Sequence, residues 1–413
     1  MSAFVWLDYS ERDRRKMLEV VDLFKERDTR DELGIGAVRD AFADQLFPGT
    51  STIMTRARYF LLVAWTYQRL EKQRKTSSQI SEKARQAETK LIEAIERSDD
   101  KDGNIGKYAK TALKRLPSSV YWHGLGVWGI RTFGGAQAQY HRSLDRHYIQ
   151  LGRHGGRAPE RDVEHDDLVA SNWRAGLISP PSSFPDECSL RLSRLDAEYL
   201  SERIRLSPFC SGSLLAELVA HPRWNHVNVE FAWQHPHVVE LPSKLRELLL
   251  HAQNFSELMH GSALLYNLIL AEQSPTKQDG RDERVADYDE RLSKWRQLLV
   301  NRSRGIMDWK REQFWELACA GNPRISRGTQ AFVNDWWNLA LEEIASEKFN
   351  RQRAERLIRE REHAVKKNLA RIDNPRAQEL WNGDSGSAQL EFRWRVAQRL
   401  LADIFQGLEA SDA

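Results

Sequence analysis

Lysines and arginines set at helical spacing are the residues of this chain best equipped to do chemistry, and the chemistry they suit is the holding of phosphates. Between Lys348 and Arg371 stand nine cations against Glu355, Glu360 and Glu362. Ile358, Val365, Leu369 and Ile372 keep an apolar seam through the same stretch, so one side of this helix packs and the other presents charge. Arg353, Arg356 and Lys367 are its candidate phosphate contacts. Neutralising about six phosphates would make a large, salt-sensitive contribution to DNA or RNA binding. A solvated helix laced with Glu–Arg pairs uses the same residues and competes with that reading.

A second cationic group precedes it. Lys107, Lys110 and Lys114 lie on an expected basic amphipathic helix from Ile105 to Leu116, and Ser118-Ser119 then caps the stretch VYWHGLGVWGI. A further helix from about Gly135 to Gln150 carries Gln137, Gln139, Arg142 and Arg146, and the tract GRHGGRA adds Arg153 and Arg157. Helix, turn and helix followed by a glycine-rich basic tract is the pattern of a winged helix-turn-helix, with Gln and Arg able to reach base edges and the flanking cations able to reach phosphates. Three short helices are common in any α-rich chain, so a solvated helical surface is the competing reading.

Other chemistry is thinner. Arg56 sits in an apolar stretch beside Ile53 and Tyr67, where an unpaired guanidinium would cost several kcal/mol. It therefore needs a partner: a carboxylate such as Asp8, Asp31, Asp40 or Asp44, or else an external phosphate. Gly124-Leu125-Gly126-Val127-Trp128-Gly129 matches G-x-G-x-x-G, but a basic helix and a serine cap precede it where a dinucleotide site requires a strand; close helix packing explains the glycines better. His221, His226, His235 and His237 form the one histidine-rich tract, fragmented by Pro222 and Pro236 and without a neighbouring cysteine, so no metal is assigned. Cys188, Cys210 and Cys319 are far apart and odd in number, which fits neither a disulfide framework nor a zinc ribbon. No Walker sequence and no G-x-S-x-G elbow occurs. No catalytic residue and no cofactor follow.

These residues must be positioned by helices. The densest local information lies from Leu33 to Glu71. Gly34 and Gly36 precede a short helix from Ala37 to Phe47, Pro48-Gly49 stops it, and Thr50, Ser51 and Thr52 are cap types for a helix running from near Ile53 to about Lys75. Ile53, Met54, Ala57, Phe60, Leu61, Ala64, Trp65 and Tyr67 share one face of it, marking a central, buried helix. Its uninterrupted apolar run is far shorter than the ~20 residues a bilayer requires.

A polar helix is expected from Gln73 to Arg97, an exposed one, and Ser98 to Asn104 reads as a surface loop. Further helices are expected over Leu192–Leu206, Ser213–Pro222 and Leu245–Ala271, the last interrupted at Gly261, and again from Tyr288 onward. Trp295, Trp309, Phe314, Trp315, Phe332, Trp336 and Trp337 are core candidates. Ala3–Tyr9 reads as an edge strand before a helix to about Arg27. Fourteen tryptophans and 29% charged residues suit a helix-rich chain whose aromatics fill gaps between helices. The net charge of +3 is too mild to imply nucleic acid by itself. No basic and apolar leader opens the sequence, so a cytoplasmic protein is expected. The fold class is mainly α: two or three packed helical domains with at most minor β. The domains are expected at 1–155 (with a winged-helix-like part at 105–157), 165–272, and 285–413 with its basic helix at 348–371.

Asp31-Glu32-Leu33-Gly34-Ile35-Gly36, Arg39 to Asp44, Phe47-Pro48-Gly49-Thr50-Ser51-Thr52 and Thr55 to Phe60 together resemble the N-terminal motif of an uncharacterised bacterial family of unknown function. Tyr121 to Leu125, Glu379-Leu380-Trp381 and Phe392-Arg393-Trp394 extend the resemblance to full length. It implies no activity and no catalytic residue. It does imply a setting beside helicases and other parts of anti-phage islands, hence a non-catalytic accessory subunit of a defence complex with nucleic acid and other proteins as partners and no membrane. A purely protein-binding helical scaffold is the rival expectation, and an unrecognised hydrolase the third.

Overall fold

The computed structural model describes residues 31–107, 113–154, 171–224, 228–274, 283–346 and 349–410, with only the backbone at 153 and 154. The helices in chain order are α1 (Gly36–Leu46), α2 (Tyr59–Lys72), α3 (Ile80–Glu96), α4 (Pro117–Val127), α5 (Gln137–His154), α6 (Arg194–Leu206) and α7 (Leu214–Ala220). There follow α8 (Ser243–Gln273), α9 (Glu283–Asn301), α10 (Ser303–Met307), α11 (Arg311–Gly321), α12 (Arg327–Ser346), α13 (Arg351–Lys366), α14 (Pro375–Gln378) and α15 (Trp394–Glu409). Strand pairing among the described residues is confined to one antiparallel bridge between Arg131 and Trp173. The protein is therefore mainly α and multi-helical. It divides into two compact units, a first of residues 1–42 with 247–392 and a second of residues 43–246 with 393–413. The boundaries expected near Gly152–Asp167 and Glu272–Arg284 fall largely outside the described residues, as do the Ala3–Tyr9 strand and the helix to Arg27.

In the second unit α2 is the buried centre, with Tyr59 to Tyr67 and Leu70 all inside. Each large apolar side chain so buried contributes about 1.5–3 kcal/mol. The helix begins at Tyr59, not near Ile53, and the reason is a competition for backbone groups. The Tyr121 hydroxyl accepts from the Thr55 and Arg56 N–H groups and donates to the Arg56 carbonyl, and the Asp403 carboxylate takes the Ala57 N–H at 2.7 Å. With those groups satisfied by side chains, residues 55–57 have no need of a helical ladder.

Helix α3, expected to be exposed, buries Ile80, Ala84, Leu91, Ile92 and Ile95 along one face. Pro117 opens α4, and the Glu88 carboxylate caps its first turn by accepting from Ser118 N at 2.7 Å, in place of the expected serine cap. Gly124 of that helix lies where an added Cβ would meet the Gly49 carbonyl at 2.3 Å. The glycine motif is thus a close-packing device inside a helix. The basic helix expected over Ile105–Leu116 is absent at 105–107 and 113–116, which are turn and irregular chain, and no hairpin wing accompanies α4 and α5 among the described residues.

In the first unit α8 runs uninterrupted through Gly261, because the Trp295 ring occupies the place a Cβ would take, 2.2 Å away. Trp295 and Trp336 donate their indole N–H groups to the Glu257 and Leu258 carbonyls. Phe42, Phe255 and Phe314 stack, and Trp309 stacks on Trp337 at 3.7 Å. Of the expected core aromatics only Trp315 is left half-buried. No helix among the described residues is long and apolar enough to cross a membrane.

Candidate functional site

Arg56 is a closed ion pair. Its Nε donates to both oxygens of Asp403 at 2.8 and 3.0 Å, and its terminal nitrogens donate to both oxygens of Asp100 at 2.8 Å. The Asp102 carbonyl takes the remaining strong bond at 2.9 Å. Burial alone would pull the guanidinium's pKa down, but the hydrogen bonds and charges of Asp100 and Asp403 outweigh it and push it up. Asp403 is pushed up to about 6 by burial, against the pull of Arg56. No donor is left for an external phosphate. The partners come from the expected surface loop and from α15, while Asp40 and Asp44 pair with Arg39 and Arg393, and Asp31 accepts from the Ile35 and Gly36 N–H groups. Asp8 lies outside the described residues.

The basic helix α13 of the first unit spends most of its charge on its own unit. Arg351 pairs with Glu272 and Glu355, Arg353 with Glu342 at 2.6 Å, and Arg359 with Asp373. Arg361 bonds the Leu33 and Gly34 carbonyls, and Lys366 and Arg371 share the buried Glu32. Among the cations assigned to phosphates, Arg353 is thus engaged, whereas Arg356 and Lys367 are exposed. Sequence spacing could not separate these cases.

In the second unit, Lys107 stands 3.8 Å from Glu96 and Lys114 is exposed. Lys110, Arg157 and the Arg153 side chain lie outside the described residues. Arg142 and Arg146, one turn apart on α5, are both exposed, and neither has an ion-pair partner among the described residues. A buried polar cluster lies beneath the same helix. Gln137 donates to Tyr67 Oη at 2.6 Å and to Ser118 Oγ at 2.8 Å, and His141 Nε2 is 3.3 Å from Tyr67 Oη. Burial lowers His141 to about 4 and raises Glu88 to about 7. Ser118 and Glu88 have no exposed surface, so this cluster meets no substrate; it holds α4 and α5 together.

The arrangement with the most open chemistry was not singled out as a site from the sequence. A groove of about 390 Å³ runs beside α15, with Leu218, Trp224, Trp394, Leu401 and Phe405 as its apolar wall and Asn228, His235, Arg395, Gln398 and Arg399 as its polar groups. No carboxylate lines it among the described residues. Trp224 is held face to face between His221, at 4.1 Å and 10°, and His237, at 4.8 Å and 6°. His235 Nε2 meets the Trp224 carbonyl at 3.0 Å while its Nδ1 accepts from His237 N. Burial lowers the His235 pKa, which keeps it neutral with the proton on Nε2. The histidine tract is a ring stack: no three histidine, cysteine or carboxylate residues gather as metal ligands among the described residues. His226 is outside them. The legible signals were the His221–His237 spacing and the i,i+4 arginines of the last helix; that the two meet was not.

A family model described as Family of unknown function (DUF6361) matches residues 1–407. No curated protein and no solved structure matches the chain.

Proposed function

The chain belongs to the DUF6361 family of unknown function, and from that premise we propose that it is a non-catalytic, nucleic-acid-associated accessory protein. The observation that carries this reading is the pair Arg142 and Arg146: exposed, one helical turn apart, and without a carboxylate partner among the described residues. Two such cations can each neutralise a phosphate, and the release of condensed counterions makes the interaction favourable and strongly salt-dependent. Lys114 is also exposed in this unit, while Lys107 stands 3.8 Å from Glu96. A place in a cytoplasmic, multi-protein bacterial defence assembly is part of the proposal and rests on the resemblance of the N-terminal motif, not on geometry. A protein-binding scaffold is the second reading, favoured by Leu206 and Phe209, which are 60% and 72% exposed within four residues of one another.

The test is a fluorescence-anisotropy titration of the full chain with labelled duplex and single-stranded DNA across a salt series. Binding at low salt is expected, weakened by Arg142→Glu with Arg146→Glu, and with the slope of log affinity against log salt reduced by about 1.5–2. No binding to either DNA at low salt would overturn the proposal.

A further inference from the structure

We infer that the cleft between α2 and α3 binds an acidic, extended segment of a partner protein. It uses other residues than the nucleic-acid reading above and goes beyond it. Two stripes of side chains face one another across this cleft. Thr66, Arg69, Leu70 and Gln73 line it from the α2 side, and Lys83, Gln86, Ala87 and Lys90 from the α3 side. Each set is spaced i, i+3, i+4 and i+7, which is one face of a helix. Thr66 and Leu70 are buried and form the floor, whereas Arg69, Gln73, Lys83 and Lys90 are exposed along the rims. The cavity is about 220 Å³, and Phe184, Pro185 and Asp186 stand at one end of it.

The chain's own course indicates the occupant. Beyond Phe184 and Asp186 the same two stripes continue through Arg58, Leu62 and Trp65 on one side and Ala94 and Arg97 on the other, and there the loop from Pro181 to Ser189 lies over them. Donors on these stripes hold the segment around that loop by its main chain. Trp65 Nε1 donates to the Ile178 carbonyl at 2.7 Å, Arg97 to the Asp186 carbonyl at 3.1 Å, and Arg58 to the Ser189 and Arg191 carbonyls. In the open half the rim groups are donors of the same kind and are largely unspent. Neither Arg69 nor Lys90 has an ion-pair partner among the described residues, and Lys83, which gives one hydrogen to Gln86 Oε1 at 3.1 Å, keeps two.

Three cations there face one lining carboxylate, Asp186, so charge complementarity selects an acidic segment. The stretch from Thr66 to Gln73 covers about 10 Å of helix, the length of about three residues of extended chain. Ala87, Phe184 and Pro185 are half-buried and give a partner side chain apolar contact that a phosphate backbone would not use. Phe184, the single ring on the wall among the described residues, is already packed against Trp65 at 5.6 Å, which leaves no platform for a nucleic-acid base.

The experiment titrates the full chain at low salt with a fluorescein-labelled nonapeptide in which glutamate alternates with valine, up to millimolar peptide, and with its glutamine counterpart. A version carrying benzoylphenylalanine maps photocrosslinks. Saturable binding of the glutamate peptide is expected, at least tenfold tighter than that of the glutamine peptide, with crosslinks on residues 66–73 or 83–90. Lys83→Glu with Lys90→Glu, at exposed helix positions, should weaken it about tenfold, since two attractions become repulsions, and leave DNA affinity within twofold. If that double variant does not fold, Lys83→Gln with Lys90→Gln decides, with an expected loss of about threefold. No saturable binding, equal binding of both peptides, or crosslinks confined to other segments would overturn the inference. So would a double variant that loses DNA affinity and keeps the peptide, which would give the cleft to phosphates. Self-association that the double variant abolishes while the peptide still binds would give it to a second copy, with the same consequence. A chain that binds the peptide and no DNA would remove the nucleic-acid reading alone.

Discussion

Helices α13 and α15 both carry arginines about one helical turn apart, yet they use them differently. On α13, in the first unit, Arg351, Arg353 and Arg359 face carboxylates, and Lys366 with Arg371 encloses the buried Glu32. On α15, in the second unit, Arg399 stands beside indole and imidazole rings in a groove with no carboxylate on its wall among the described residues. The richer run of cations in the sequence therefore commits most of its charge to its own unit and leaves Arg356 and Lys367 exposed. What decides the matter is which side chains distant in sequence arrive opposite each cation, and net charge per segment does not record that.

The sharpest way to break this comparison is at Glu32. Its carboxylate is 2.7 Å from Arg371 and 3.4 Å from Lys366, and all three side chains are at most 12% exposed. Burial raises its pKa, with the two cations opposing. Glu32→Ala would leave two cations inside the unit with no countercharge, a loss of about 3–5 kcal/mol. Urea denaturation measures it. A loss below about 1 kcal/mol would mean that the cations of α13 are not structural, and the contrast with α15 would fail.

Buried carboxylates sharpen the same contrast. Glu362, without exposed surface in the first unit, accepts from Tyr266 Oη and from the Arg371 and Ile372 N–H groups. Glu88, equally buried in the second unit, accepts from Ser118 N among the described residues, and its Oε1 has no partner there. Burial raises Glu88 from 4.5 to about 7. Below the unfolded value both states are protonated and nothing is lost; as pH rises from 4.5 to about 7 the unfolded chain gives up a proton that the folded state keeps, so stability falls by about 3 kcal/mol in total and levels off above 7, where both are ionised. Glu88→Gln keeps an acceptor for Ser118 N and removes the ionisation. It should stabilise the protein by about 2 kcal/mol at pH 8 and change little at pH 4, read from denaturation midpoints at the two pH values. The same gain at both would show that packing, not charge, is at issue.

The elements that the sequence displayed clearly are those fixed by neighbours in the chain. Ser193 and Asp196 form the capping box that starts α6, Ser213 caps α7, and Pro48-Gly49 ends the turn after α1. Trp295, Trp309, Phe314, Phe332, Trp336 and Trp337 were legible as core for a different reason, the cost of leaving large aromatic rings in water. The start of α2 was hidden because Tyr121 and Asp403, 65 and 346 residues away, satisfy the backbone that a helix would otherwise use. The partners of Arg56 were hidden likewise: no local rule points from Arg56 to Asp100 and Asp403. The groove required residues 218–235 to meet 394–405, and periodicity reports the face of a helix, not what comes to cover it.

The smallest expected effect is the one that separates exposed charge from available charge. Arg353 was counted among the phosphate contacts, yet it donates to both oxygens of Glu342 at 2.7 and 2.6 Å, with 42% and 52% of the two side chains exposed. A pair so open to solvent is screened and contributes at most about 1 kcal/mol. Arg353→Gln should therefore shift the denaturation midpoint within that range and leave DNA affinity and its salt slope unchanged, because the charge removed was already matched by a carboxylate. If the variant instead lowers DNA affinity severalfold with a shallower salt slope, Glu342 releases the guanidinium to a phosphate at little cost. Paired arginines on α13 would then have to be counted with those of α5.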